Sequence, residues 1–147
     1  MALNLYKYHT DPTQLLYHDR TVEIEGELVF KTDDELFAIG DLGLKGTEIT
    51  QLPDNLKVDG DLNLYNTKIT QLPDGLKVGG TLTLDDTPIT RLPADLEVGG
   101  DLYLTDTKIT QLPADLEVGG DLSLRNTPIT QLPDNLKVGD EIIGFKG

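Results

Sequence analysis

"VGGDLYLTDTKITQLPADLE" occupies residues 98–117, and "VGGDLSLRNTPITQLPDNLK" follows at once over 118–137. Two adjacent segments of equal length that share most letters in register mark a repeat protein. Leu62, Leu82, Leu102 and Leu122 lie 20 residues apart, as do Leu64, Leu84, Leu104 and Leu124, and the same step links Thr67, Thr87, Thr107 and Thr127. Ile69, Leu72, Pro73, Leu76 and Val78 have equivalents in every unit, and Gly40, Gly60, Gly80, Gly100 and Gly120 punctuate the starts. The register extends back through Leu42 and Leu44, then more faintly through Val22, Ile24, Val29, Leu36 and Ala38. It predicts a degenerate first coil over 21–40, five repeats over 41–140 and a partial strand over 141–147, all within one domain.

Inside a unit, Val58, Gly60, Leu62 and Leu64 alternate with polar residues, the period of a half-buried strand. Thr67 and Ile69 continue the inward set after a turn at Tyr65-Asn66, and Leu72-Pro73 opens a stretch of extended or turn backbone. Pro88 and Pro128 replace Lys68 and Lys108 without disturbing the pattern, so that slot needs no N–H in a ladder and belongs at a corner. One coil has too few apolar side chains to stand alone. Stacking buries each layer against the next, so the expectation is an all-β solenoid of about six coils.

The motif L-x-L-x-x-T-x-I-T-x-L-P-x-x-L resembles a short leucine-rich repeat of the 20-residue bacterial type, in which Leu-Pro follows the strand. The resemblance covers residues 41–140 and implies a binding solenoid whose outward strand positions contact a partner. Where that family carries a turn Asn, this chain has Thr47, Thr67, Thr87, Thr107 and Thr127, whose hydroxyls can make similar local bonds. The "LEVGGDLYL" run also allows two strands per coil, so a leucine-rich arc and a straighter β-solenoid both fit. Residues 1–20 read as a cap: Thr10 or Asp11 before Pro12 is a helix start, and "PTQLLYH" supplies about two turns. The opening "LNLYKYHTDPTQLLYHD" is similar to the starts of some uncharacterised bacteriophage repeat proteins, which implies a phage or mobile-element origin.

The chain has 26 acidic and 12 basic residues among 147, a net charge of -14, which opposes direct binding to nucleic acid or to anionic membrane. A basic protein surface is the natural complement. With no Cys there are no disulfides, thiolate nucleophiles or Cys-ligated metals, as suits a reducing compartment. No apolar run approaches a membrane span and no secretory leader is evident, so the expectation is a soluble, cytoplasmic protein, in the host cytoplasm if phage-encoded.

No catalytic constellation emerges. His9 and His18 are the only histidines and fall in the cap, and there is no nucleophile elbow, phosphate-binding loop or metal-ligand spacing. "VGGDL" shares glycines with the calcium β-roll motif but lacks its nonapeptide period. The reading is therefore a non-enzyme without cofactor or metal.

What varies over the fixed pattern is a set of outward slots: Asn63 and Tyr65, Thr83 and Asp85, Tyr103 and Thr105, Ser123 and Arg125. Asn63, Tyr65, Asp85, Asp86, Tyr103, Asp106 and Arg125 form the candidate partner-binding set, with the tyrosines as anchors. Asp41, Asp61, Asp101, Asp121 and Glu141 form an acidic row interrupted by Thr81. That row is either a solvated stripe or an electrostatic face. From residue 41 onward 18 acids stand against 9 bases, a net density about half that of duplex DNA.

These features predict a protein-binding solenoid acting on a host protein. An acidic nucleic-acid mimic that inhibits a DNA- or RNA-handling enzyme is the first alternative, and a structural component of a larger assembly is the second. The tail Glu141-Ile142-Ile143 begins a further strand that Gly144 breaks, leaving the last coil partly covered; an end-to-end homodimer through that surface is expected.

Overall fold

The computed structural model describes residues 23–32, 35–52 and 56–146, with side chains from residue 40 onward. Each unit makes two short parallel strands rather than one. β3 (Lys57–Val58), β5 (Lys77–Val78), β7 (Glu97–Val98), β9 (Glu117–Val118) and β11 (Lys137–Val138) stack into one ladder. β4 (Leu62–Asn63), β6 (Leu82–Thr83), β8 (Leu102–Tyr103), β10 (Leu122–Ser123) and β12 (Ile142–Ile143) stack into a second. Every partner is 20 residues away, so like slots sit above like slots. The chain is an all-β parallel solenoid of about five turns, and of the two forms left open it takes the one with two strands per coil.

The start of the array differs from the expected degenerate coil over 21–40. β1 (Glu23–Thr32) runs antiparallel to β2 (Glu35–Gly43), with Gly26 opposite Gly40 and Ile24 opposite Leu42. β2 alone serves as the first layer: Phe37-Ala38 pairs with β3 and Leu42-Gly43 with β4, so this strand joins the two ladders. The count of six coils therefore falls to about five plus a hairpin. The 20-residue echo of Val22, Ile24 and Val29 reflects alternating apolar residues, which suit an antiparallel strand as well as a stacked one. The expected helical cap over 1–20, with His9 and His18, lies outside the described residues. No helix occurs among the described residues.

The interior is a column of aliphatic layers. Leu42, Leu62, Leu82, Leu102 and Leu122 are fully buried, as are Ile49, Ile69, Ile89 and Ile109, and the valines of the first ladder face the same core. In the fifth turn Leu132, Leu136 and Val138 are half-buried and pack with Phe145 against the layer beneath. Hydrogen bonds run along the stack: Leu62 N–H donates to the carbonyl of Thr81, Leu64 to Thr83, Leu82 to Asp101 and Leu84 to Tyr103, each at 2.9 Å.

Two corners explain the invariant letters. At the Gly-Gly corner the backbones of successive coils nearly touch; a Cβ on Gly79, Gly99, Gly119 or Gly139 would collide with the carbonyl oxygen of the coil before. At the other corner Asn66, Asp86, Asp106 and Asn126 have φ between 55° and 60°, and Gly46 has φ 71°. A turn that needs positive φ at its third residue selects Gly, Asn or Asp. The threonine that follows closes it: Thr67 donates both its N–H and its hydroxyl to the carbonyl of Leu64, at 3.2 and 2.9 Å. Thr87, Thr107 and Thr127 repeat the arrangement, so the hydroxyl does at this corner the local bonding expected of it. Thr47 also donates its N–H to Leu44, but its buried hydroxyl finds no partner among the described residues.

Candidate functional site

The second ladder carries three outward rows. The first is the acidic row, and the carboxylates of its four aspartates are engaged in the stack. Asp41 Oδ1 accepts the backbone N–H of Asp61 at 2.7 Å, Asp61 that of Thr81 at 2.8 Å, Asp101 that of Asp121 at 2.8 Å, and Asp121 that of Glu141 at 3.0 Å. Where Thr81 interrupts, its hydroxyl takes the N–H of Asp101 at a longer 3.4 Å. Each of these four aspartates thus satisfies an amide of the next coil, and a charged acceptor makes the stronger bond. Glycine beside it is part of the device, because a Cβ on Gly60, Gly80 or Gly120 would strike that same Oδ1.

The second and third rows hold the variable slots. Asn63, Thr83 and Tyr103 are partly exposed and Ser123 is buried; beside them Tyr65 and Arg125 are exposed and Asp85 and Thr105 are partly so. The two tyrosines differ. Tyr65 is 44% exposed, whereas Tyr103 donates its hydroxyl to Asp101 Oδ2 at 2.8 Å, and that bond pushes its phenol above the usual range. Asp85 accepts the N–H of Thr105 at 2.7 Å, yet desolvation raises its carboxyl above the ordinary value, with Asp86 and Asp106 adding to the rise. Asp86 and Asp106 are exposed turn residues whose positive φ accounts for their identity. Asn63, Tyr65, Asp85, Tyr103 and Arg125 share one face, with Asp86 and Asp106 at its edge.

The first ladder presents a separate surface. Its outward residues are Lys57, Lys77, Glu97, Glu117 and Lys137, one per coil. Lys77 Nζ lies 3.6 Å from Glu97 Oε1 and Lys137 Nζ lies 2.9 Å from Glu117 Oε1, the latter bond raising the lysine's pKa. An open groove of about 690 Å³ runs along this side, lined by Lys77, Ala94, Asp95, Glu97 and Gly99 among others. The visible signal was the change from "LKV" to "LEV" between units. The described residues include no cluster of acids or histidines suited to a metal ion, and no helix long and apolar enough to cross a membrane.

Fold and surfaces together define a repeat protein built as a β-solenoid. A family model described as repeats of unknown function (DUF5649) matches residues 21–92. No curated protein and no solved structure matches the chain.

Proposed function

We propose that the chain is a non-enzymatic binding solenoid whose contact face is the outward side of the second ladder, centred on Tyr65. One observation carries this reading. Outward position alone does not produce variety, since Thr50, Thr70, Thr90, Thr110 and Thr130 are also exposed and never change. Variation concentrates in the rows of residues 63 and 65, over a core that repeats letter for letter. Tyr65 supplies rigid exposed aromatic area, and Arg125 an exposed guanidinium, residue types enriched where proteins meet. The partner is a protein with a basic surface, in keeping with the net charge of -14.

The test is capture on immobilised wild-type chain beside a Tyr65→Ala, Arg125→Ala variant, eluted with a salt gradient. A discrete partner retained by the wild type and bound about tenfold or more weakly by the variant supports the reading. Equal retention overturns it. Recovery of nucleic-acid enzymes lost at modest salt would instead favour the acidic mimic, and recovery of the chain alone a structural component.

A further inference from the structure

The stack has a direction, and at its fifth turn that direction leaves two different edges open. Along the first ladder each coil offers carbonyls to the next: Leu116 and Val118 accept the N–H groups of Lys137 and Gly139 at 3.0 and 2.9 Å. Along the second ladder each coil offers N–H groups to the next: Leu122 and Leu124 donate to the carbonyls of Glu141 and Ile143 at 2.8 and 2.7 Å. β11 and β12 are the outermost strands of the two ladders. The carbonyls of Leu136 and Val138 and the N–H groups of Ile142 and Gly144 therefore point out of the stack, with no hydrogen-bond partner among the described residues.

The apolar column is open at the same place. Ile142 is 39% exposed although Leu122 beneath it is fully buried, and Leu132, Leu136 and Val138 are half-buried where their equivalents in the earlier coils are buried. Solenoids ordinarily close with a polar cap. The repeat does not continue over this surface, because Gly144, at φ 79°, stands in the slot of Leu64, Leu84, Leu104 and Leu124, and Phe145 packs back on the core.

We infer that this end docks on the same end of a second copy, about a two-fold axis that passes through Asp140 and is perpendicular to the stack. Lys137–Val138 and Ile142–Ile143 are equally spaced about Asp140, so the rotation lays β11 of each copy antiparallel against β12 of the other. Val138 then faces Ile142 and Leu136 faces Gly144, the alternate residues that antiparallel hydrogen bonding uses. At both places an open carbonyl meets an open N–H, and the axis makes the same bonds twice. The contact continues the coil-to-coil interface of the array: Val138 and Ile142 occupy inward slots and close one apolar layer, while Lys137 and Ile143 meet on the outside. Glu141 falls opposite Gly139. Only Asp140, exposed on the axis, meets its own equivalent and opposes the contact. The dimer is closed at two copies, driven by apolar burial and backbone bonds, and strengthened when salt screens the Asp140 pair and the net charge of -14. This end is distinct from the face centred on Tyr65.

Sedimentation equilibrium of the full chain across a dilution series, at low and high salt, tests the inference. The mass is expected to rise from 16.1 kDa to twice that value and no further, and to do so at lower concentration when salt is high. Asp140→Asn should strengthen association at low salt about two- to fivefold. Ile142→Lys with Phe145→Lys should weaken it about tenfold or more, with circular dichroism confirming that the variants are folded. Amide hydrogen exchange should slow at Ile142 and Gly144 as the dimer forms and stay unchanged at Tyr65. Because the chain has no Cys, Asp140→Cys places a single thiol on the axis, and air oxidation should link two copies through it, whereas Tyr65→Cys should stay unlinked. A wild type that stays monomeric at high concentration and high salt overturns the inference, as do growth beyond two copies, association that salt weakens, or an Asp140→Cys chain that links no faster than Tyr65→Cys. An Asp140→Asn chain that associates no better than wild type, or a double lysine variant that associates as well, overturns it too.

Discussion

Aspartate takes three different roles in this chain, and position in the coil decides which. In the acidic row it accepts an amide from the next coil; at the positive-φ corner it adopts a conformation few residues tolerate; at Asp85 it accepts the N–H of Thr105 while half withdrawn from water. Only the first two reward the charge or the shape. Because desolvation raises the Asp85 pKa in the folded state, the native protein binds more protons than the unfolded chain between the two values, and the charge opposes folding above that window. Asp85→Asn keeps an acceptor for Thr105 without the charge. It is expected to raise the melting temperature slightly at pH 7 and to lose that advantage as pH falls toward the ordinary carboxylate value of 3.8, where Asp85 is itself protonated. Melts at several pH values check the sign. By contrast Asp61→Ala removes a charge-assisted bond to Thr81 and should cost about 1–2 kcal/mol at pH 7. The acidic row was visible as letters, but its bonding was not, since the donor stands 20 residues away on another coil.

At the level of a single coil, the inward residues and the turn at Tyr65-Asn66 were legible because both have local signatures, a period of two and a residue suited to positive φ. The Gly-Gly corner was read only as punctuation. Its meaning is contact: Gly99 has no room for a side chain because the carbonyl of Gly79 lies directly beneath. Gly99→Ala should force the coils apart and cost at least about 2 kcal/mol, even though the position is solvent-exposed, where a surface substitution would ordinarily change little. Leu104→Asp places an unpaired charge in a fully buried layer and should cost several kcal/mol, enough to unfold the central coils. Chemical denaturation of both variants tests the two kinds of contact. The hairpin of β1 and β2 was the element sequence could not supply, because alternating apolar residues suit parallel and antiparallel pairing alike and only the hydrogen bonds discriminate.

For the molecule as a whole, stability is a property of the stack, because each coil's apolar layer and both its strand edges are satisfied only by its neighbours. The 20-residue step is the single quantity that must be preserved. Deletion of residues 98–117 removes one complete coil and joins Glu97 to Val118, which leaves every remaining slot above its equivalent. This shortened chain is expected to fold and melt cooperatively, with a denaturant m-value reduced by about one fifth in proportion to the surface it no longer buries. Deletion of residues 98–107 removes half a coil and sets Lys108 where a core valine belongs. The inward set then no longer meets the inward set of its neighbours, a shift equivalent to a slipped register in a sheet. That variant should lose its cooperative transition, although it retains more of the sequence than the longer deletion. A half-coil deletion that melted as sharply as the full-coil deletion would show that composition, and not registration between coils, holds the array together.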